Sequence, residues 1–216
     1  FRDLTPGPNA TFFTPLVIPG MVNVNGVLFF NANANGQGME IWKSDGSEAG
    51  TVQVSNIAPD AYYSAVAASS LTNLNGTLFF VADDGVSGYE LWKSDGTTAG
   101  TTRVRDIYPG ATSSISTFSS VVLKAANNNV FFAADDGVSG TELWKSDGTE
   151  AGTQRVSDIN AGPSGSFPDS LIPAGGLLFF RARDASNVYS LWRSDGTEVG
   201  TFQVRPDVSG AYAVIN

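Results

Sequence analysis

A β-propeller of four four-stranded blades is the fold that the sequence predicts, and three observations predict it. First, an eight-residue motif, Glu90-Leu91-Trp92-Lys93-Ser94-Asp95-Gly96-Thr97, recurs at 40–47, 142–149 and 190–197. Second, it carries all four tryptophans, Trp42, Trp92, Trp144 and Trp192, at spacings of 50, 52 and 48 residues. Third, aromatic and β-branched runs alternate with Gly-, Asn- and Pro-rich turns, and no helical periodicity of useful length intervenes. A period of about 50 residues holding four strands is the pattern of a propeller blade. The 216 residues are therefore expected to form one β-repeat domain. Its repeats fall at about 8–57, 58–107, 108–159 and 160–207, with 1–7 a surplus strand and 208–216 a C-terminal tail. The four blades are either a whole propeller or part of a larger one.

The strands follow in order. The first of each period is expected in a short apolar run, at 15–18, 70–74, 120–123 and 170–172. The second follows a Gly or Asn turn, at 26–30, 76–80, 129–132 and 176–180, and its unbroken apolar run indicates burial on both faces. The third is the Trp motif, entered through loops 83–88 and 135–140, which read as hairpin connections. Alternation puts Glu90 and Trp92 on one face and Leu91 and Lys93 on the other. Trp92 is then expected between blades, with the head of Lys93 reaching solvent over a buried stem. The fourth strand is expected at 54–57, 101–107 and 156–159, followed by linkers such as Tyr108-Pro109-Gly110. Residues 1–7 match the end of such a strand and the linker after it, so the chain starts with a fourth strand that has no blade before it.

Composition limits the function. Net charge is −9 and the isoelectric point about 4.3, a field that repels nucleic-acid phosphates and anionic lipids. The chain has no cysteine and no histidine, which excludes disulfides, thiolate nucleophiles, imidazole bases and the usual serine triad. Phosphate-loop and dinucleotide fingerprints are missing. No apolar run approaches the ~18 residues of a membrane span, so no membrane insertion is expected. The N-terminal residues lack a signal-peptide pattern, and the chain is expected to be a mature or excised segment.

The run Glu-Leu-Trp-x-x-Asp-Gly-Thr, followed by Gly-Thr and Val-x-Asp-Ile, resembles the bacterial ELWxxDGT (hyalin-like) repeat family over nearly the whole chain. That resemblance implies secreted or cell-surface bacterial proteins with propeller-like folds, and it implies no single activity. Copy four departs from the pattern, with Ser190 in place of Glu and Asp184-Ala185 in place of Asp-Asp-Gly.

Three groups are candidate site residues. Asp45, Asp95, Asp147 and Asp195 precede glycines, where an aspartate ordinarily stabilises a turn; a cation- or sugar-binding ring is the functional counterpart. The pairs Asp83-Asp84 and Asp135-Asp136 offer hard oxygens, and calcium is the one cofactor they allow, although the alternating spacing of an EF-hand loop is missing. The tryptophans read as core, although they could form a stacking platform for sugars. Tyr62, Tyr63, Tyr108 and Phe167 lie in the variable linkers and are the first place to look for an aromatic ligand site.

The sequence therefore leads to a non-enzymatic extracellular or cell-surface binding or structural protein with a glycan or protein ligand. No catalytic residue is assigned. A polysaccharide-acting enzyme is the alternative, since 21 acidic residues always allow some pair of carboxylates. A surface filament or layer subunit, self-associating by strand donation through residues 1–7, is the third reading.

Overall fold

The computed structural model describes residues 20–33, 38–57, 66–67, 70–117 and 123–204. They form four antiparallel sheets of four strands, each a meander in chain order, and the architecture is that of a β-propeller. Blade 1 holds β1 (Met21–Val24), β2 (Val27–Asn33), β3 (Met39–Ser44) and β4 (Val52–Gln53). Blade 2 holds β5 (Thr72–Leu74), β6 (Thr77–Asp83), β7 (Tyr89–Ser94) and β8 (Thr102–Arg103). Blade 3 holds β9 (Lys124–Ala126), β10 (Asn129–Asp135), β11 (Thr141–Ser146) and β12 (Gln154–Arg155). Blade 4 holds β13 (Asp169–Ala174), β14 (Leu177–Arg183), β15 (Tyr189–Ser194) and β16 (Phe202–Gln203). The first strands are innermost: β1 approaches β5, β5 approaches β9, and β9 approaches β13.

Side-chain alternation explains how the blades stack. On one face of blade 1, Phe29, Ile41 and Val54 pack against Leu78, Phe80, Ala82 and Trp92 of blade 2. The opposite face of blade 2 (Phe79, Val81, Leu91 and Val104) meets Val130, Phe132, Ala134 and Trp144 of blade 3. Phe131, Leu143 and Val156 of blade 3 repeat the contact with Leu178, Phe180, Ala182 and Trp192 of blade 4. Each blade therefore has a leading face, turned to its successor, and a trailing face, turned to its predecessor. The expected burial of the second strand on both faces holds in blades 2 and 3, where Leu78, Phe79, Phe80 and Val81 and Val130, Phe131 and Phe132 are buried; in blade 1 Leu28 is exposed and in blade 4 Phe179 is half-buried.

The lysine of each motif behaves differently from the expectation. Its ammonium does not reach out to solvent but crosses to the next blade. Lys43 Nζ donates to the Gly96 carbonyl, Lys93 Nζ to that of Gly148, and Lys145 Nζ to that of Gly196, each at 2.7 Å. The acceptor glycine also receives the phenylalanine of the preceding blade, since a Cβ on Gly96 or Gly148 would stand 3.0 or 2.9 Å from Cζ of Phe29 or Phe79.

Three strand assignments need correction. The fourth strands are two residues long: those of blades 1 and 3 lie just before the expected runs and that of blade 2 fills only 102–103 of 101–107, because Val54, Val104 and Val156 turn into the core and the chain then leaves for its linker. In blade 3 the first strand is Lys124–Ala126, beyond 120–123, because the Asn127-Asn128 turn fixes its register with β10. In blade 1 it is Met21–Val24, fixed in the same way by the Asn25-Gly26 turn, with positive φ at both residues. The expected strand at 15–18, the surplus strand 1–7 and the tail 208–216 lie outside the described residues.

The rest of the motif is a closed set of hydrogen bonds. Asp95 Oδ1 accepts from Thr97 N (2.8 Å) and Thr97 Oγ1 (2.7 Å), and Gly100 N donates to Thr97 Oγ1 (3.0 Å). Thr101 Oγ1 donates to the Thr97 carbonyl and lies 2.7 Å from Ser94 Oγ, which accepts from Gly96 N. The second glycine is required for a steric reason, since a Cβ on Gly100 would overlap the Asp95 carboxylate. Gly→Ala at an ordinary backbone conformation usually stabilises a protein. Here Gly100→Ala is expected to lower the melting temperature, which a thermal scan of the variant beside the native chain checks.

Candidate ligand-binding rim

Because every blade is a meander, its β2–β3-type loop and its linkers emerge at one rim, and its two other turns emerge at the opposite one. Asp45, Asp95, Asp147 and Asp195 share the turn-bearing rim, each bonded to its own Ser or Thr two residues on. Those bonds hold their carboxyls below the usual range. Trp42 and Trp144 are buried, and Trp92 and Trp192 are half-buried between blades.

The other rim gathers the remaining described candidates. Asp83 Oδ1 accepts from Gly85 N (2.7 Å), and Asp84 Oδ1 from Val86 N (3.0 Å) and Ser87 N (2.8 Å). Asp135 and Asp136 repeat this geometry with Gly137, Val138 and Ser139. Arg103 lies 3.9 Å from Asp84 and 3.7 Å from Asp106, and Arg155 lies 3.3 Å from Asp158. Among the described residues no group of three or more acidic side chains is placed to hold a metal ion. With the pairs committed to local N–H groups, chelator is expected to leave the melting temperature unchanged; a fall on chelation would reveal a bound ion.

Tyr108 is half-buried with its ring against the acidic loop of blade 3, where a Cβ on Gly137 would stand 2.7 Å from Cζ. Phe167, exposed and at positive φ (49°), lies one linker further on with the Arg183 guanidinium 4.5 Å from its ring. The two aromatics occupy successive linkers, each against a different blade. Tyr62 and Tyr63 lie outside the described residues.

What fixes these linkers is a feature the sequence did not single out. Glu90 is buried in β7 and accepts from Ile107 N (3.2 Å), Ser114 N (3.3 Å) and Ser114 Oγ (2.6 Å), all on the linker from blade 2 to blade 3. Glu142 accepts in the same way from Ile159 N, Asn160 N and Ser166 Oγ, and Glu40 accepts from Ile57 N. The held linker then bridges two blades: Ile115 N donates to the Tyr89 carbonyl, and Asp135 N to that of Ser114. In blade 4 the glutamate position is Ser190, whose buried hydroxyl has no partner among the described residues. The available signal was a carboxylate recurring three times directly before the apolar Ile/Leu-Trp pair of the third strand.

Burial outweighs those bonds and pushes the Glu90 carboxyl up to about 7, from an ordinary 4.5. Glu142 is raised for the same reason. A folded pKa above the unfolded one contributes stability that is complete below the unfolded value and is lost as pH rises through the folded value. The lowered aspartates act oppositely, and their contribution is lost as pH falls below about 3.8. Melting temperature is therefore expected to peak near pH ~4–5 and to fall towards neutrality. Glu90→Gln should flatten the upper limb, and an unchanged slope in that variant would reject Glu90 as its source.

Repeated blades, clamped linkers and an open loop-bearing rim define a propeller-type repeat protein. No protein-family model and no curated protein matches the chain. Solved structures do. Puromycin hydrolase superposes with a TM-score of 0.54 at 14% identity, covering 84% of this chain and 28% of that one. TolB from Acinetobacter baumannii gives 0.49 at 14%, covering 79% and 38%. A GH43 glycoside hydrolase engineered for endo-xylanase and exo-arabinofuranosidase activity gives 0.38 at 14%, covering 89% and 42%. At this identity the likeness is one of fold, and the chain spans less than half the length of each of these proteins.

Proposed function

We propose that the chain is a non-enzymatic binding module of a secreted or cell-surface protein, taking a glycan on its linker-bearing rim. The observation that carries this reading is the Tyr108 ring, seated on Gly137 beside Asp135 and Asp136. An aromatic face next to carboxylate oxygens suits the apolar face and the hydroxyls of a sugar. Clamping by Glu90 fixes the linker before a ligand arrives, which lowers the entropic cost of binding. The resemblance to ELWxxDGT repeats supports the extracellular setting.

A glycan array followed by calorimetric titration of the best hit tests the proposal. Tyr108→Ala is expected to weaken binding by at least about tenfold, the loss of one stacked ring. Unchanged affinity in that variant would remove Tyr108 from the site. Release of reducing sugar from any polysaccharide would overturn the non-enzymatic reading.

A further inference from the structure

Trp92, Trp144 and Trp192 each pack against the blade before their own, and one of the three is capped by a cation from that blade. Arg105 follows β8 of blade 2, and its guanidinium lies over the Trp144 ring of blade 3, 5.9 Å from the centroid. The same guanidinium donates through Nη1 to the Thr153 carbonyl at 2.6 Å. Beneath it Trp144 is only 4% exposed and Thr153 is fully buried. A guanidinium suits this place because its face can lie on an indole while its edge donates a hydrogen bond.

Between blades 3 and 4 the same place is built without the arginine. Ser157 stands at the position of Arg105 and is half-buried, and so is Trp192. The acceptor is presented as before: Thr201 N donates to the Glu198 carbonyl and Thr201 Oγ1 to that of Thr197, just as Thr153 donates to Glu150 and Thr149. Across the strand pair Trp192 faces the neutral Gln203, where Trp144 faces Arg155, so this junction carries less positive charge than the one that already holds Arg105. The junction between blades 1 and 2 differs, since Ser55 is buried there and Arg103 lies across from Trp92.

We infer that the outer wall of the propeller, at the junction of blades 3 and 4, binds an arginine side chain of a basic partner peptide. The guanidinium lies on Trp192 beside Ser157 and donates to the Thr201 carbonyl, the arrangement that Arg105 makes within the chain one junction earlier. The fold thus supplies the pattern for the ligand it takes from outside. The net charge of −9 favours the approach of a basic peptide. Thr201 closes the Asp195 turn, which belongs to the turn-bearing rim, so this site is separate from a glycan held at Tyr108.

Nuclear magnetic resonance of the four indole N–H signals, assigned with single Trp→Phe variants, tests the inference. The probe is acetyl-arginine amide, titrated at constant ionic strength, with acetyl-lysine amide as the matched cation. The Trp192 signal is expected to shift and saturate, while those of Trp42 and Trp144 stay in place. The lysine probe should bind several-fold more weakly, since an ammonium cannot lie flat on the ring and donate sideways at once. Ser157→Arg, a change at a half-exposed position, should fill the site from within and abolish the Trp192 response. Arg105→Ser should give Trp144 the response it lacks in the native chain; if that variant fails to fold, Ser157→Arg alone decides. A Trp192 signal that does not move, equal affinity for the two probes, or an undiminished response in Ser157→Arg would each overturn the inference, as would a folded Arg105→Ser whose Trp144 signal stays in place.

Discussion

Glu90→Ala is expected to destabilise the folded chain by about 3 kcal/mol or more, since each buried donor left without an acceptor costs ~1–3 kcal/mol. Three donors are stranded at once: the backbone N–H groups of Ile107 and Ser114 and the Ser114 hydroxyl. Water has no ready access, because Glu90, Ile107 and Ser114 are all buried. Glu142→Ala should match it, since Ile159, Asn160 and Ser166 repeat the arrangement. Ser190→Ala, at the same repeat position, removes a hydroxyl without a partner and should change stability by under about 1 kcal/mol. Urea unfolding of the three variants measures the comparison. A cost below about 1 kcal/mol for both glutamates would show that the linkers are held by something else.

A second large effect is expected from Phe131→Ala, at about 3–5 kcal/mol, the usual cost of emptying a buried phenylalanine site. Phe131 is fully buried between blades 3 and 4, among Leu143, Val156 and Leu178. Its ring also lies over Gly196, so its loss opens the junction beside the Lys145 bond. The informative control is Phe179→Ala, the same position one blade on. Phe179 is only half-buried, so this change should cost about 1 kcal/mol or less. Equal costs at the two positions would mean that blade 4 is covered as fully as blade 3.

The second and third strands were legible because their pattern is set by burial itself: an aromatic run needs cover on both sides, and only stacked blades supply it. The first strand of blade 3 and the fourth strands of blades 1 and 3 were misplaced for the opposite reason. Lys124-Ala125-Ala126 has little intrinsic preference for a strand and becomes one through the turn at Asn127-Asn128. The Val54, Val104 and Val156 segments look like strands because they are apolar, yet each valine anchors the chain just beyond its last pairing. For the rim, the acidic loops and the linker aromatics could be read locally. The contact between Tyr108 and Gly137 could not, since it joins a linker to the far loop of the following blade. The glutamate clamp is similarly long-range, with Glu90 and Ser114 24 residues apart.

The lysine-to-glycine bond has a consequence for how such a chain can change in length. Donor and acceptor lie in one motif but serve opposite neighbours: Lys93 reaches forward to Gly148, while Gly96 receives Lys43 from behind. A whole period copied or deleted in frame therefore carries one donor and one acceptor with it, and the cut ends find complementary partners without any second substitution. Blades 2 and 3 are interchangeable units in this sense. Blade 4 is not: with Ser190 in place of the glutamate, moved inward it would leave the linker behind it unclamped. Duplication within the interior of the array is thus tolerated at the level of single junctions, and the variable quantity is the number of blades rather than the design of any one of them.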